Sequence, residues 1–180
     1  MKRVLLSTTL LFIAVPAFAQ GAPAPAAATG VSTSRAVWEI MSNYFTKSAE
    51  QVPEADYAYK PVETVRSFGQ LVGHVAGAQN MFCAAALGEA QKSEDDIEKT
   101  ATTKAALVAA LKASNEYCKR AYAITDAQAA GMTKLFGSDN SKMFTLMLNA
   151  SHVGEHYGNA VTYMRMKNMV PPSSAPRAGQ

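Results

Sequence analysis

The sequence predicts an all-α fold, a four-helix bundle, on three observations. Four stretches carry apolar residues at three- and four-residue spacing. No stretch gives a convincing period-two strand. Each helical stretch is also bounded by a proline, a glycine or a polar capping residue. Amphipathic helices of this length bury their apolar stripes against one another, and bundle interiors are where metal sites are built from facing side chains.

The chain of 180 residues has room for one domain with a sizeable core. Met1-Lys2-Arg3 is a short positive head, residues 4–15 are mostly apolar, and Ala17-Phe18-Ala19 places small residues ahead of Gln20. That pattern reads as a secretory signal peptide over 1–19, cleaved after Ala19, and implies a periplasmic or secreted protein. No later segment is long and apolar enough to insert stably in a membrane. Removing Lys2 and Arg3 leaves fifteen basic residues against fourteen acidic ones, a net charge of about +1. No Lys/Arg cluster tracks a phosphate backbone, which argues against nucleic acid as a partner.

Residues 20–33 are rich in Ala and Pro and read as a flexible segment. The bundle is expected over 34–174, with 175–180 a disordered tail. The first helix runs from about Ser34 to Ala49, capped by Ser32 or Ser34, with Trp38, Met41, Phe45 and Ala49 on one face. It stops before Val52-Pro53, because the residue ahead of proline avoids the helical region. The proline-bracketed link through Tyr57 and Tyr59 is expected to be an ordered loop packed on the bundle.

Ser67-Phe68-Gly69-Gln70 fits a capping box and opens the second helix, which reaches about Leu87 and stops at Gly88. Residues 91–99 are polar and acidic, a surface connection by composition. A third helix spans about Thr103 to Ala123, with Leu107, Val108, Leu111, Tyr117, Cys118 and Tyr122 facing inward. Residues 125–140 read as a loop or short helix. The fourth helix opens at Asn140 or Ser141 and reaches about Lys167, with Asn168 as its cap and Pro171-Pro172 forbidding continuation. Cys83 and Cys118 suit an oxidising compartment. The sequence leaves open whether they form one interhelical disulfide, directed away from the His74 face, or stay buried thiols.

The chemistry lies in the three histidines. His152 and His156 are four residues apart, one turn on one helix face, and His74 sits on a mostly small or apolar face of the second helix. A single histidine on an apolar face is ordinarily a hydrogen-bonded core residue. Here all the histidines fall into one pair plus one inward position, which points to a metal site between the second and fourth helices. Neutral imidazole suits zinc, nickel, copper and iron(II), and three protein ligands leave coordination positions open, as in catalytic sites. Asn149, Asn159, Tyr163 and Gln70 either orient the ligands or solvate the end of the bundle, and Glu155 is either a general base at the rim or an ordinary exposed helix carboxylate. His152-Val153-Gly154-Glu155-His156 also fits the H-x-x-E-H peptidase pattern. Those enzymes take a third ligand from a downstream glutamate, and this chain has no acidic residue after Glu155. Met143 and Met147 raise copper handling as a minor alternative, against a role as core filler.

Val52-Pro53, Tyr57, Pro61, Arg66-Ser67-Phe68, Leu71 and His74-Val75 form the first half of a longer pattern. His152, Glu155-His156-Tyr157-Gly158-Asn159, Tyr163-Met164-Arg165 and Val170-Pro171-Pro172-Ser173-Ser174 complete it. Together they resemble the DinB / YfiT-like superfamily over residues 34–174. The resemblance implies a four-helix bundle with one divalent metal, commonly zinc or nickel, held by His74, His152 and His156. It also implies frequent homodimers and activities such as metal-dependent hydrolysis or transfer dependent on small thiols, which act on small-molecule substrates. The leading expectation is therefore a metal-dependent hydrolase or thiol-dependent transferase. A non-catalytic metal-binding or stress-related bundle is the alternative. The leader peptide departs from the pattern, since most thiol-using relatives are cytoplasmic.

Overall fold

The computed structural model describes residues 28–176. Residues 1–27, with the expected signal peptide and most of the Ala/Pro-rich segment, and residues 177–180 lie outside that range. Six α-helices, one short hairpin and two 3₁₀ turns (Glu54–Asp56 and Pro172–Ser174) make up the regular structure of the described residues: α1 Gly30–Gln51, α2 Phe68–Leu87, α3 Asp96–Thr100, α4 Lys104–Ala121, α5 Asp126–Ala129, β1 Met132–Leu135, β2 Ser138–Ser141 and α6 Lys142–Met166. None of these helices is long and apolar enough to cross a membrane.

Helix α1 begins four residues before the expected start, inside the stretch read as flexible. Thr29, not Ser32 or Ser34, is its cap, and Thr29 and Ser32 close a reciprocal capping box. Trp38, Phe45 and Ala49 are buried as expected. The link that follows is ordered: Tyr57 is buried, and its hydroxyl donates to the Ala49 carbonyl.

Helix α2 is central, packing against α4, α6 and α3, while α1 packs on α6 and α4. Ser67 and Gln70 form the expected capping box, and Gly88 ends the helix at φ 77°, a left-handed turn that glycine adopts without steric cost. Nearly every residue of α2 is buried, so it has neighbours on all sides and not an amphipathic stripe. Buried Gln79 satisfies a polar network across the core: it accepts from Trp38 Nε1 at 2.7 Å and donates to Ser114 Oγ at 3.1 Å and Asn115 Oδ1 at 2.9 Å. Trp38 also stacks on Tyr122, with ring centroids 4.6 Å apart. Cys83 and Cys118 are joined in a disulfide that ties α2 to α4, their Cα atoms 5.3 Å apart. The structure thus resolves the alternative that the sequence leaves open.

Two connections differ from expectation. The acidic 91–99 segment contains α3 and lies close against α2, with Glu94, Asp95, Ile97 and Glu98 half-buried. Residues 125–140 hold a strand pair besides the short helix α5, paired from Met132↔Ser141 to Leu135↔Ser138. Phe136 and Gly137 both take positive φ, 52° and 78°, the backbone of a type I′ hairpin turn. The strands are four residues long and bury only Leu135, too little alternation to register as period two. Helix α6 starts from Ser141, whose hydroxyl accepts from Phe144 N, and ends near Asn168 at φ 56°. Both ends agree with the reading of the sequence.

Candidate metal centre

Helix geometry alone places His152 and His156 one turn apart on α6, and their ring centroids are 4.3 Å apart. Packing of α2 on α6 brings His74 to both, with centroids 5.1 Å from His152 and 4.9 Å from His156. The Nε2 atoms converge: His152 Nε2 lies 3.2 Å from His74 Nε2 and 3.0 Å from His156 Nε2. A single N–H on His152 can satisfy only one of those two neighbours, so hydrogen bonding alone does not explain the cluster. One cation accepting all three lone pairs would account for both contacts. Two nitrogens that share an ion at about 2.0–2.1 Å lie about 2.8–3.4 Å apart for bond angles between about 90 and 109°. Both observed spacings fall in that range.

The protonation state agrees. Burial, with the neighbouring imidazoles and Arg66 adding to it, lowers His74 to about 4 and His152 to about 3, and burial also lowers His156. The rings are therefore neutral, with lone pairs available, throughout the physiological range. Phe82 packs edge-on to His152, its ring centroid 5.4 Å away, and keeps that side apolar.

The neighbours expected to orient the ligands divide. Asn159 reaches His156 Nδ1 at 3.3 Å. If Nε2 holds an ion, Nδ1 carries the proton, and the Asn159 amide turns to present its oxygen. Asn149 does not reach a ligand: it bonds to the Tyr122 hydroxyl at 3.2 Å and lies against the disulfide sulfurs, drawn there by the polar atoms of that side of the core. Gln70 is occupied in capping α2, and the Tyr163 hydroxyl donates to the Arg66 carbonyl at 2.7 Å, but both side chains line the neighbouring cavity. Glu155 is exposed and outside that cavity, although its charge opposes the lowering of His156.

The cavity beside His156 has a volume of about 600 Å³ and is lined by Lys60, Arg66, Gln70, Glu98, Asn159 and Tyr163, among others. Arg66 Nε bonds Glu98 at 2.9 Å across it. Lys60 and Glu98 were not among the residues singled out from sequence, since neither stands at helical spacing from a histidine. Met143 and Met147, the basis of the copper alternative, line a separate apolar groove with Val37, away from the histidines.

The sequence profile of the DinB superfamily matches residues 38–160. The chain belongs to the DinB superfamily. Solved structures share this DinB-like fold. A DinB-like protein from Bacillus cereus superposes with a TM-score of 0.67 at 16% identity, covering 77% of this chain and 93% of its own. Another from Bacillus subtilis gives 0.63 at 21% identity, covering 81% and 99%. The mycothiol-dependent maleylpyruvate isomerase gives 0.60 at 13% identity over 72% of this chain, which spans only 60% of the isomerase's length. No curated protein matches the sequence. Within this DinB-superfamily chain, the three imidazoles form a group able to bind a metal ion.

Proposed function

We infer that the protein is an exported four-helix bundle, formed by α1, α2, α4 and α6, and a metal-dependent enzyme. His74, His152 and His156 hold one divalent ion, zinc or nickel, between α2 and α6. The observation that carries this reading is the convergence of three neutral Nε2 atoms, 3.0 and 3.2 Å apart, at the edge of a substrate-sized cavity. When bound, the ion supplies a Lewis acid that makes a water or a thiol nucleophilic near neutral pH. A metal store without turnover would need the cluster but not the cavity.

The chain's own residues give the cavity a preference. Lys60 and Arg66 face it against one carboxylate, Glu98, which is already engaged by Arg66. A small carboxylate or other anion is the substrate class that this charge pattern attracts, with Arg66 able to meet it through two parallel N–H bonds. Tyr163 and Asn159 line the same wall and offer neutral hydrogen bonds to orient it. Glu98 lines the same cavity ion-paired to Arg66, while Glu155 would act only from the rim. Hydrolysis, or thiol transfer to an anionic acceptor, is the reaction class that fits. The disulfide supports export, because such bonds persist in oxidising compartments.

The test is turnover by zinc- and nickel-loaded protein on panels of anionic esters, and of anionic acceptors paired with small thiols. The reading expects activity that disappears in His156→Ala and a KM raised at least tenfold in Arg66→Ala. Metal-loaded protein inert across both panels, binding no anion in the cavity, would leave the non-catalytic metal-binding bundle as the better account.

A further inference from the structure

His74 is 95% buried, and its Nδ1 has no hydrogen-bond partner. A ligand imidazole bound through Nε2 carries its proton on Nδ1, and in metal sites that proton is ordinarily given to a carboxylate, a carbonyl or a water. An orphaned donor at this depth costs about 1–3 kcal/mol, so the surroundings of the ring should contain an acceptor. They do. A ring nitrogen of His74 and carboxylate oxygens of Glu94 and Asp95 all lie within 4.8 Å of one another.

The backbone is built to bring that segment in. Gly73 and Gly77, flanking His74 on α2, stand where α3 and the residues before it cross the helix. A Cβ on Gly73 would lie 2.7 Å from Glu98 Cα, and one on Gly77 would overlap the Glu94 carbonyl oxygen and lie 2.8 Å from its carbon. Any side chain at either position would hold the acidic segment away from the histidine. Glycine in mid-helix costs about 1 kcal/mol against alanine, and here the close approach explains its use twice in five residues.

We propose that Asp95 is a positioning residue for the metal centre, accepting the Nδ1–H of His74 directly or through one water and fixing the ring with Nε2 toward His152 and His156. The inference rests on the metal reading above. Asp95 is preferred over Glu94 because its carboxylate is held in place 3.1 Å from Lys99, whereas Glu94 makes no ion pair among the described residues. A separation of up to 4.8 Å is what a bridging water spans, or one side-chain rotation closes.

The experiment is zinc affinity by chelator competition for wild type, Asp95→Ala, Glu94→Gln and Lys99→Ala, with ¹⁵N NMR of the histidine ring nitrogens in the zinc-loaded proteins. Asp95→Ala is expected to weaken zinc about 10- to 100-fold and to shift the His74 Nδ1–H resonance. Lys99→Ala breaks the same ion pair but keeps the carboxylate, and it should stay within about threefold of wild type, as should Glu94→Gln. Asp95→Ala that binds zinc like wild type, with an unmoved resonance, overturns the inference and leaves the metal reading standing. An equal loss in Lys99→Ala also overturns it, by tracing the effect to the ion pair. Wild type that binds no zinc overturns the metal reading itself.

Discussion

Gly77→Ala separates the two roles a helical glycine can have. In an exposed helix interior, alanine in place of glycine stabilises by about 0.5–1 kcal/mol, because the unfolded chain loses freedom and the helix gains a better former. Gly158 on α6 meets that description, since nothing lies within 4 Å of a Cβ built there. At Gly77 the added carbon would lie 2.8 Å from the Glu94 carbonyl carbon and overlap its oxygen. Carbon contacts are ordinarily about 3.5–4.0 Å, so the acidic segment must retreat by roughly 1 Å. Overpacking of this kind costs about 1–3 kcal/mol, and here the obstacle is backbone, which cannot rotate away. After the helix gain is returned, Gly77→Ala should be about 1–2 kcal/mol less stable than wild type, and Gly158→Ala slightly more stable. Denaturant midpoints with unchanged slopes measure both. Gly77→Ala should also bind zinc more weakly, because Asp95 retreats with its segment. A Gly77→Ala protein as stable as Gly158→Ala, with unchanged zinc affinity, would refute the close docking of the acidic segment.

Three other outcomes follow from the structure. Replacing both cysteines by alanine should lower stability by about 3–4 kcal/mol, the chain-entropy value for cross-linking residues 35 apart. Zinc affinity should stay within a few-fold, because the bond joins α2 to α4 while the histidines meet between α2 and α6. Gln79→Ala strips partners from Trp38, Ser114 and Asn115 and leaves a void, costing about 3 kcal/mol and on the order of 10 °C in Tm by calorimetry. The metal-free protein should lose stability on acidification between about pH 6.5 and 4. Below pH 6.5 the unfolded histidines take up protons that the folded ones refuse, His74 down to about 4 and His152 to about 3. A tenfold difference in proton affinity is worth about 1.4 kcal/mol, so His74 alone contributes on the order of 3 kcal/mol over that window. Denaturation midpoints flat from pH 7 to 4 would contradict the burial of these rings.

What sequence carries and what it does not divides along physical lines. The long helices were legible because each has a local stop or start: the Ser67–Gln70 box, Gly88, Ser141 and Asn168 all act within one turn. The i,i+4 histidines were legible for the same reason. The early start of α1 was missed because Thr29 caps through Ser32, within a stretch whose composition suggested no structure. The hairpin was missed because its strands are short and its turn is Phe136-Gly137, where residues of high turn preference such as Asn-Gly would have signalled it. Asn149 sat at helical spacing from His152, yet polar atoms on the far side of the core engage it. Asp95 and Glu98 come from a segment whose charge suggested only a solvated surface. The signal that could have found them is the Gly69, Gly73, Gly77 spacing on α2, a row of missing side chains that marks a close neighbour.

The central claim is that three histidines hold one ion. Elemental analysis of the purified protein, beside His152→Ala, tests it most directly. The account predicts about one zinc or nickel per chain in the wild type and loss of that ion in the variant, with the helical circular dichroism spectrum retained. A wild-type protein that carries no metal, and takes up none on titration with zinc or nickel, would contradict it.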